Sequence, residues 1–237
     1  MQIGILQTGE APDALRPQMG DYPDFFERLL EGYGLSFKRY RVMSMDFPKD
    51  VHECDGWLIT GSRFGAYEDH EFIKPLEEFI RRSYAEKVPM VGICFGHQII
   101  AQAMGGKVEK YRGGWSVGPT EYDFEGEKIT LNAWHQDQVT ELPNMAQVVG
   151  RNAFCENAAL LYDDTMFTVQ PHPEFNAEFM QGLIEKRGPG LVAEPVLAAA
   201  AAKSDTPLDR APMAERIAHF FLNHQDDRLK KAAAAQA

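Results

Sequence analysis

The stretch Val88-Pro89-Met90-Val91-Gly92-Ile93-Cys94-Phe95-Gly96-His97-Gln98-Ile99-Ile100 constrains this chain more than any other. Its first half is apolar and β-branched, the pattern of a buried strand; its second half, continued through Ala101-Gln102-Ala103-Met104, is the pattern of a helix. A strand that passes straight into a helix must turn sharply. Here the turn carries Gly92-x-Cys94-x-Gly96, a nucleophile-elbow pattern with Cys in place of Ser. Glycine suits both flanking positions because the turn brings backbones close and leaves little room for a Cβ. The cysteine falls at a helix N-terminus, where unpaired N–H groups and the macrodipole favour negative charge. The same N–H groups are suited to holding an oxyanion that forms on a substrate carbonyl. A lone Cys after an apolar run is ordinarily packed core. The paired glycines set Cys94 apart from Cys54 and Cys155, which lack such a turn and are read as structural.

Around this stretch strands and helices alternate. Met1 to Gln7 is a short apolar strand, and Asp21-Tyr22-Pro23-Asp24 opens a helix with Pro and acid in its first turn. Ser36 to Val42 and Gly56 to Ile59 read as strands, and Ile73 to Ala85 as the helix that precedes the Cys94 strand. The pattern predicts an α/β fold, doubly wound, with a mainly parallel central sheet and helices on both faces. In such sheets ligands bind beyond the carboxyl ends of the strands, where Cys94 and the Thr60-Gly61-Ser62 loop both fall.

The middle of the chain changes character. Gly113 to Gly118, Glu121 to Phe124 and Lys128 to Leu131 read as short antiparallel strands with turns between them. Ala146 to Gly150, Ala159 to Tyr162 and Met166 to Gln170 continue the strand-rich run. From Ala177 the pattern is helical, broken at Gly188-Pro189-Gly190 and Asp205-Thr206-Pro207, with Ala232 to Ala235 reading as a fraying tail. No linker composition appears. Residues 1–190 are therefore expected to form the α/β domain, and 191–237 a helical extension packed on it.

Charge narrows the partners. With 24 Lys and Arg against 35 Asp and Glu, the net charge of −11 gives no electrostatic support to nucleic-acid or anionic-membrane binding. Three cysteines without CxxC spacing argue against a disulfide framework or a zinc site and fit a reducing cytoplasm. No apolar run approaches a membrane span, and Met1 leads into a strand rather than a signal peptide.

A cysteine nucleophile needs a base, and the base needs a group to orient it. Of seven histidines, His52, His70, His219 and His224 lie in acidic, solvent-facing surroundings. His97 is close to Cys94 in sequence, but on the same helix its ring points back along the helix rather than over the thiol. Gln170-Pro171-His172-Pro173-Glu174 is the better candidate, because it follows the strand Met166 to Val169 and so should also sit at a strand's end. The two prolines hold it extended, and positions two apart then project to one side. That lets the Glu174 carboxylate accept the His172 ring N–H and fix its tautomer.

Four segments in order, Thr60-Gly61-Ser62, Gly92 to Gln98, Trp134-His135-Gln136-Asp137-Gln138-Val139 and Gln170 to Glu174, make the chain resemble a class I (triad) glutamine amidotransferase. The likeness is greatest to the stand-alone GMP-synthase-like members and the γ-glutamyl peptidases. It implies a flavodoxin-like sheet, Cys94 as nucleophile, His172 as base and Glu174 as its support. It also implies an oxyanion hole from the N–H groups of Phe95 and Gly61. Gln98 matches the family's contact to the amino-acid end of the substrate, and Trp134, His135, Gln136 and Asp137 match a segment lining the same pocket; for His135 and Asp137 a turn-stabilising role fits equally well. Thr60 and Ser62 depart from the family's Gly-Gly-Pro loop. Phe95 after the nucleophile, and the adjacency of His172 and Glu174, set the chain apart from intracellular-protease-like and dienelactone-hydrolase-like elbow proteins.

The expected activity is hydrolysis of a γ-glutamyl amide through a cysteine thioester, on a small-molecule substrate, with no metal or organic cofactor. About sixty residues follow Glu174, and no P-loop occurs, so a synthase reaction would need a separate polypeptide. Two partners stay open, a synthase subunit or a second copy of the chain in a homo-oligomer.

Overall fold

A computed structural model describes the backbone of residues 1–235 and the side chains of residues 1–225. In chain order the elements are β1 (Gln2–Leu6), α1 (Arg16–Met19), α2 (Tyr22–Leu29), β2 (Ser36–Tyr40), β3 (Gly56–Ile59), α3 (Ile73–Ala85), β4 (Met90–Ile93) and α4 (Phe95–Ala103). There follow β5 (Lys107–Lys110), β6 (Ser116–Phe124), β7 (Glu127–His135), β8 (Asp137–Glu141), β9 (Ala146–Gly150), β10 (Ala159–Tyr162) and β11 (Met166–Val169). The chain closes with α5 (Ala177–Gly182), α6 (Glu194–Ala201) and α7 (Arg210–Ala235).

A seven-stranded sheet in the order β2-β1-β3-β4-β11-β10-β9 forms the centre. β2, β1, β3, β4 and β11 run parallel, and β10 and β9 close the far edge by antiparallel pairing. This is the doubly wound α/β sheet that strand–helix alternation predicts. All four residues of β3, β4 and β11 are buried, as strands covered on both faces must be. Alternation along each strand divides the core. Trp57, Ile59 and Met90 pack with Phe79 and Ile80 of α3 and with Ile99 of α4. Leu58, Val91, Ile93 and Phe167 face the other way, onto Phe26 of α2 and Met213, Ile217 and Phe221 of α7. Through Met213, Ile217 and Phe221 the first part of α7 packs into the second helical layer.

The opening of α2 follows its sequence signal. The Asp21 carboxylate caps the first turn, Asp24 accepts the Asp21 N–H at 2.7 Å, and Pro23 occupies a position that needs no donor.

Sequence pattern and structure part company in the middle of the chain and at its end. Pro119-Thr120 falls in the turn expected between two short strands, yet β6 is one continuous nine-residue strand paired with β7 from Ser116↔His135 to Phe124↔Glu127. Gly118 keeps its left-handed φ of +80° inside the strand, where a Cβ would lie 3.0 Å from Ala200 Cβ on α6. β5 and β8 pair as a separate ribbon that charged sequences such as Lys107-Val108-Glu109-Lys110 do not announce. The backbone of α7 continues as helix through Ala235, where the alanine run reads as a fraying tail.

Candidate active site

Three neighbouring parallel strands, β3, β4 and β11, end together, and the residues that follow them converge. β3 delivers Thr60 and Gly61, β4 delivers Cys94, and β11 delivers Gln170 to Glu174. A Cβ built on Gly61 would lie 3.1 Å from His172 Cε1 and 3.8 Å from Cys94 Cβ, which puts loop, thiol and imidazole against one another. Any larger residue at 61 would crowd the ring.

Cys94 occupies the turn with φ 52° and ψ −101°, a positive-φ conformation that an L residue adopts at a cost of about 1–3 kcal/mol. Its N–H is bonded to Val169 O at 2.9 Å, so β11 fixes the elbow directly. Phe95 is the first residue of α4, where no intrahelical acceptor exists for its N–H. The flanking glycines are required by space. A Cβ on Gly92 would sit 2.5 Å from Gly96 O, and one on Gly96 would sit 2.4 Å from Ile59 O.

Hydroxyl groups shape the Thr60-Gly61-Ser62 loop where the family has glycine and proline. The Thr8 N–H donates to Thr60 Oγ1 at 3.1 Å, and Ser62 Oγ donates to Thr8 O at 2.8 Å. Thr8 Oγ1 lies 3.0 Å from Thr60 O and 3.2 Å from Gly61 O, with one proton shared between them. The loop is therefore tied to the end of β1 on both sides of Gly61.

His172 is buried, with its backbone N–H donated to Asn132 O of β7 at 2.8 Å. Its Nδ1 pairs with Glu174 Oε1 at 2.6 Å, and Nε2 is buried with no hydrogen-bond partner among the described residues. Since a carboxylate only accepts, Nδ1 carries the proton in this pair and Nε2 is the atom left to face the thiol side. His97 goes elsewhere. It is fully buried, its Nδ1 pairs with Thr168 Oγ1 of β11 at 2.8 Å, and burial pushes it down to about 3, so it is a neutral core ring.

The thiol opens into a cleft of about 430 Å³ lined by Cys94, Gln98, Trp115, Trp134, Gln136 and Asp137 among others. Gln98 Nε2 is already committed, donating to Asp137 O at 3.0 Å and to Gln170 Oε1 at 3.1 Å, so its structural duty is to tie the β7–β8 corner to the end of β11. His135 and Trp134 end β7 rather than forming a turn. His135 is buried, burial pushes it down to about 3, and its Nδ1–H donates to Asp137 O at 3.2 Å. Burial also raises Asp137, with Tyr67 and Lys110 pulling the opposite way. Gln136 Nε2 donates to Tyr111 O at 3.3 Å, closing the corner. Among the described residues no group of three or more His, Cys, Asp or Glu side chains converges as metal ligands would. Nor is any described helix long and apolar enough to cross a membrane.

A family model described as "Glutamine amidotransferase class-I" matches residues 21–186. The chain belongs to this family. Gamma-glutamyl peptidase 4 of Arabidopsis thaliana is 32% identical over 185 residues, covering 70% of this chain and 73% of the relative. A glutamine-hydrolysing GMP synthase subunit of Archaeoglobus fulgidus is 38% identical over 184 residues, covering 70% of this chain and 93% of the relative. The crystal structure of a glutamine amido transferase from Methylobacillus flagellatus superposes with TM-score 0.70, covering 94% of this chain and 92% of that one; at 22% identity the likeness is one of fold. This amidotransferase is accordingly an enzyme of the cysteine-dependent class I type.

Sequence reasoning missed several residues around the amidotransferase's histidine. Phe175 stacks flat on His172, ring centroids 4.0 Å apart and planes 4° apart, and Asn132 Nδ2 donates to Phe175 O at 3.1 Å. Phe175 follows the Gln170–Glu174 motif directly, so an aromatic in that position was the available signal. Asn132 gave none, because its contribution to His172 is a backbone carbonyl.

Burial opposes the charged form of His172, but Glu174 and Cys94 more than offset it and push the ring up to about 10. A folded-state pKa above the ordinary value of about 6.5 contributes stability that is fully present below that pH. The contribution is lost as pH rises toward about 10. The gap in urea midpoint between wild type and His172→Gln should therefore shrink between pH 6.5 and 10. A gap independent of pH would mean that the ring is not held as an imidazolium.

Proposed function

We propose that the protein hydrolyses the γ-glutamyl amide bond of a γ-glutamyl amine or peptide, glutamine included, through a thioester on Cys94. The observation that carries this reading is the His172–Glu174 pair at 2.6 Å, with the ring turned over Gly61 beside the elbow cysteine. The Cys94 thiol passes its proton to His172 Nε2 as its sulfur attacks the γ-carbonyl carbon, and the carbonyl π electrons move to oxygen, where the N–H groups of Phe95 and Gly61 hold the charge. Collapse of the tetrahedral adduct breaks the C–N bond, and the departing amine takes the proton from His172 Nε2. Water then attacks the thioester while His172 accepts its proton; glutamate departs and the sulfur is released. Glu174 holds the ring at Nδ1 throughout, in both its neutral and its charged form. The chain's own groups and water carry every step.

Gln98, Trp134, His135, Gln136 and Asp137 are assigned to the wall that receives the glutamyl end. A cleft of about 430 Å³ lies within the range that holds ligands larger than a single amino acid, and Tyr22, Trp115 and Leu191 add to its lining beside Cys94. This favours a leaving group bigger than ammonia, in keeping with the γ-glutamyl peptidase relatives. Residues 1–190 are read as the amidotransferase domain, with 191–237 as its helical extension. All three cysteines are free, in keeping with a reducing cytoplasm.

A second reading, favoured by the likeness to glutamine-hydrolysing GMP synthase subunits, makes the chain a glutaminase that docks to a separate synthase. Purified protein incubated with glutamine and with a panel of γ-glutamyl dipeptides separates the two. Turnover of dipeptides by the isolated chain supports the first reading. Glutamine turnover seen only after a synthase partner is added supports the second. No turnover of any γ-glutamyl amide under either condition refutes both.

A further inference from the structure

We propose that Arg210, at the start of α7, is a positioning residue that clamps the Pro173–Glu174 backbone and so keeps the His172 ring on the thiol side. This rests on the assignment of His172 and Glu174 given above. The need for a clamp lies in the loop's own chemistry. Pro171 and Pro173 have no N–H, so a segment of this composition has more acceptors than donors and few means of holding its own shape. Its inner edge is gripped by β7, which accepts the His172 N–H and, through Asn132, donates to Phe175 O. Its outer edge needs donors from elsewhere.

Arg210 supplies them. Its Nε donates to Pro173 O at 2.8 Å and its Nη2 lies 3.3 Å from Glu174 O, two carbonyls from consecutive residues met by one planar fork. The fork is itself fixed. The neighbouring Asp209 carboxylate accepts the Thr130 N–H at 2.7 Å, and the Asp209 N–H donates to Thr130 O at 2.8 Å. The start of α7 is thereby locked to β7, the strand that grips the loop's other edge. Arg210 sits there against opposition, since burial and the nearby Arg28 both disfavour its charge, while the Glu174 carboxylate favours it. Arg210, Arg28 and Glu174 together line a cleft of about 280 Å³ that Cys94 does not line. Nothing else among the described residues donates a side-chain hydrogen bond to these two carbonyls.

The test compares wild type with Arg210→Lys and Arg210→Ala, using a chromogenic γ-glutamyl anilide as substrate and iodoacetamide as a thiol probe, with alkylation at Cys94 read by mass spectrometry. Lysine keeps the charge and the apolar stem but cannot span both carbonyls. Arg210→Lys is expected to lower kcat about tenfold, within the range that an ångström of misplacement costs, with KM changed by less than about twofold. Alkylation of Cys94 at neutral pH should slow in parallel, and its pH profile should move. Arg210→Ala should do the same more severely; should it fail to fold, the lysine variant decides. A merely structural role would lower Tm and leave kcat and the alkylation profile unchanged, and that result overturns the proposal. The two readouts keep its failure distinct from that of the functional reading. Wild type that turns over no γ-glutamyl amide defeats the functional reading, whereas equal alkylation profiles in wild type and Arg210→Lys defeat the clamp.

Discussion

Cys94→Ala is expected to lower kcat for γ-glutamyl amide hydrolysis by about 10⁵-fold or more, the scale on which loss of a covalent nucleophile is felt in enzymes of this kind. The fold should survive. The thiol is buried at the rim of a cleft, and the residue's backbone is held by the Cys94 N–H to Val169 O bond, which alanine keeps. Alanine also keeps the strained φ of 52°, so it neither gains nor loses conformational energy relative to cysteine at that angle. Glycine would be different. Cys94→Gly removes the same sulfur but relaxes a positive-φ conformation that costs a side-chain-bearing residue about 1 kcal/mol or more. Both variants should therefore be inactive, with Cys94→Gly the more stable to urea of the two. Turnover by Cys94→Ala above a hundredth of wild type would remove the thioester route. A Cys94→Gly variant less stable than Cys94→Ala would remove the claim that strain is stored at the elbow. Strain of this kind persists because three neighbouring elements, β3, β11 and α4, determine the turn more strongly than the residue's own preference.

The parts of this molecule that could be read from sequence are those whose cause is local. A buried strand, a tight turn and an amphipathic helix each leave a pattern within a few residues. β4, Cys94 and α4 were legible for that reason, as were the capped start of α2 and the proline-bounded segment after β11. Alternation predicted the parallel strands up to β4, but not that β11 would return parallel beside β4, and it is this order that brings Gly61, Cys94 and His172 together. Interactions between distant segments left no such mark. The β5–β8 ribbon pairs segments some thirty residues apart through charged, half-exposed strands with no clean alternation. Pro119-Thr120 falls where a turn is expected and yet lies within a strand, because β7 pairs with β6 along its whole length. The Asn132 carbonyl, the Phe175 stack and the Arg210 fork are tertiary in the same sense. Even the loop that departs from the family's glycine and proline is explained only in three dimensions, where Thr8 supplies the partners for Thr60 and Ser62.

Gly96→Ala should be strongly destabilising and should cost activity as well. A Cβ at Gly96 would stand 2.4 Å from Ile59 O and 3.0 Å from Ile59 C and Cβ, and the first of these is a backbone atom at the end of a fully buried strand. No rotamer change relieves that contact, so either the first turn of α4 or the end of β3 must shift. Overpacking against backbone in a closed site costs about 3 kcal/mol or more. For a domain of this size that corresponds to a fall in Tm of about 6–12 °C. Because Cys94 leads into α4 and Gly61 leads out of β3, the same shift separates the sulfur from the loop beside it, and activity should fall with stability. Gly105→Ala is the informative comparison. There nothing lies within 4 Å of the added Cβ, and the cost comes only from a φ of +94°, expected at about 1 kcal/mol. Gly105 is also remote from the three strand ends, so its variant should lose stability without losing kcat. Urea midpoints and kcat for the two variants decide the matter. If Gly96→Ala proves no less stable than Gly105→Ala and retains activity, the close contact between the elbow and β3 is not what shapes this site.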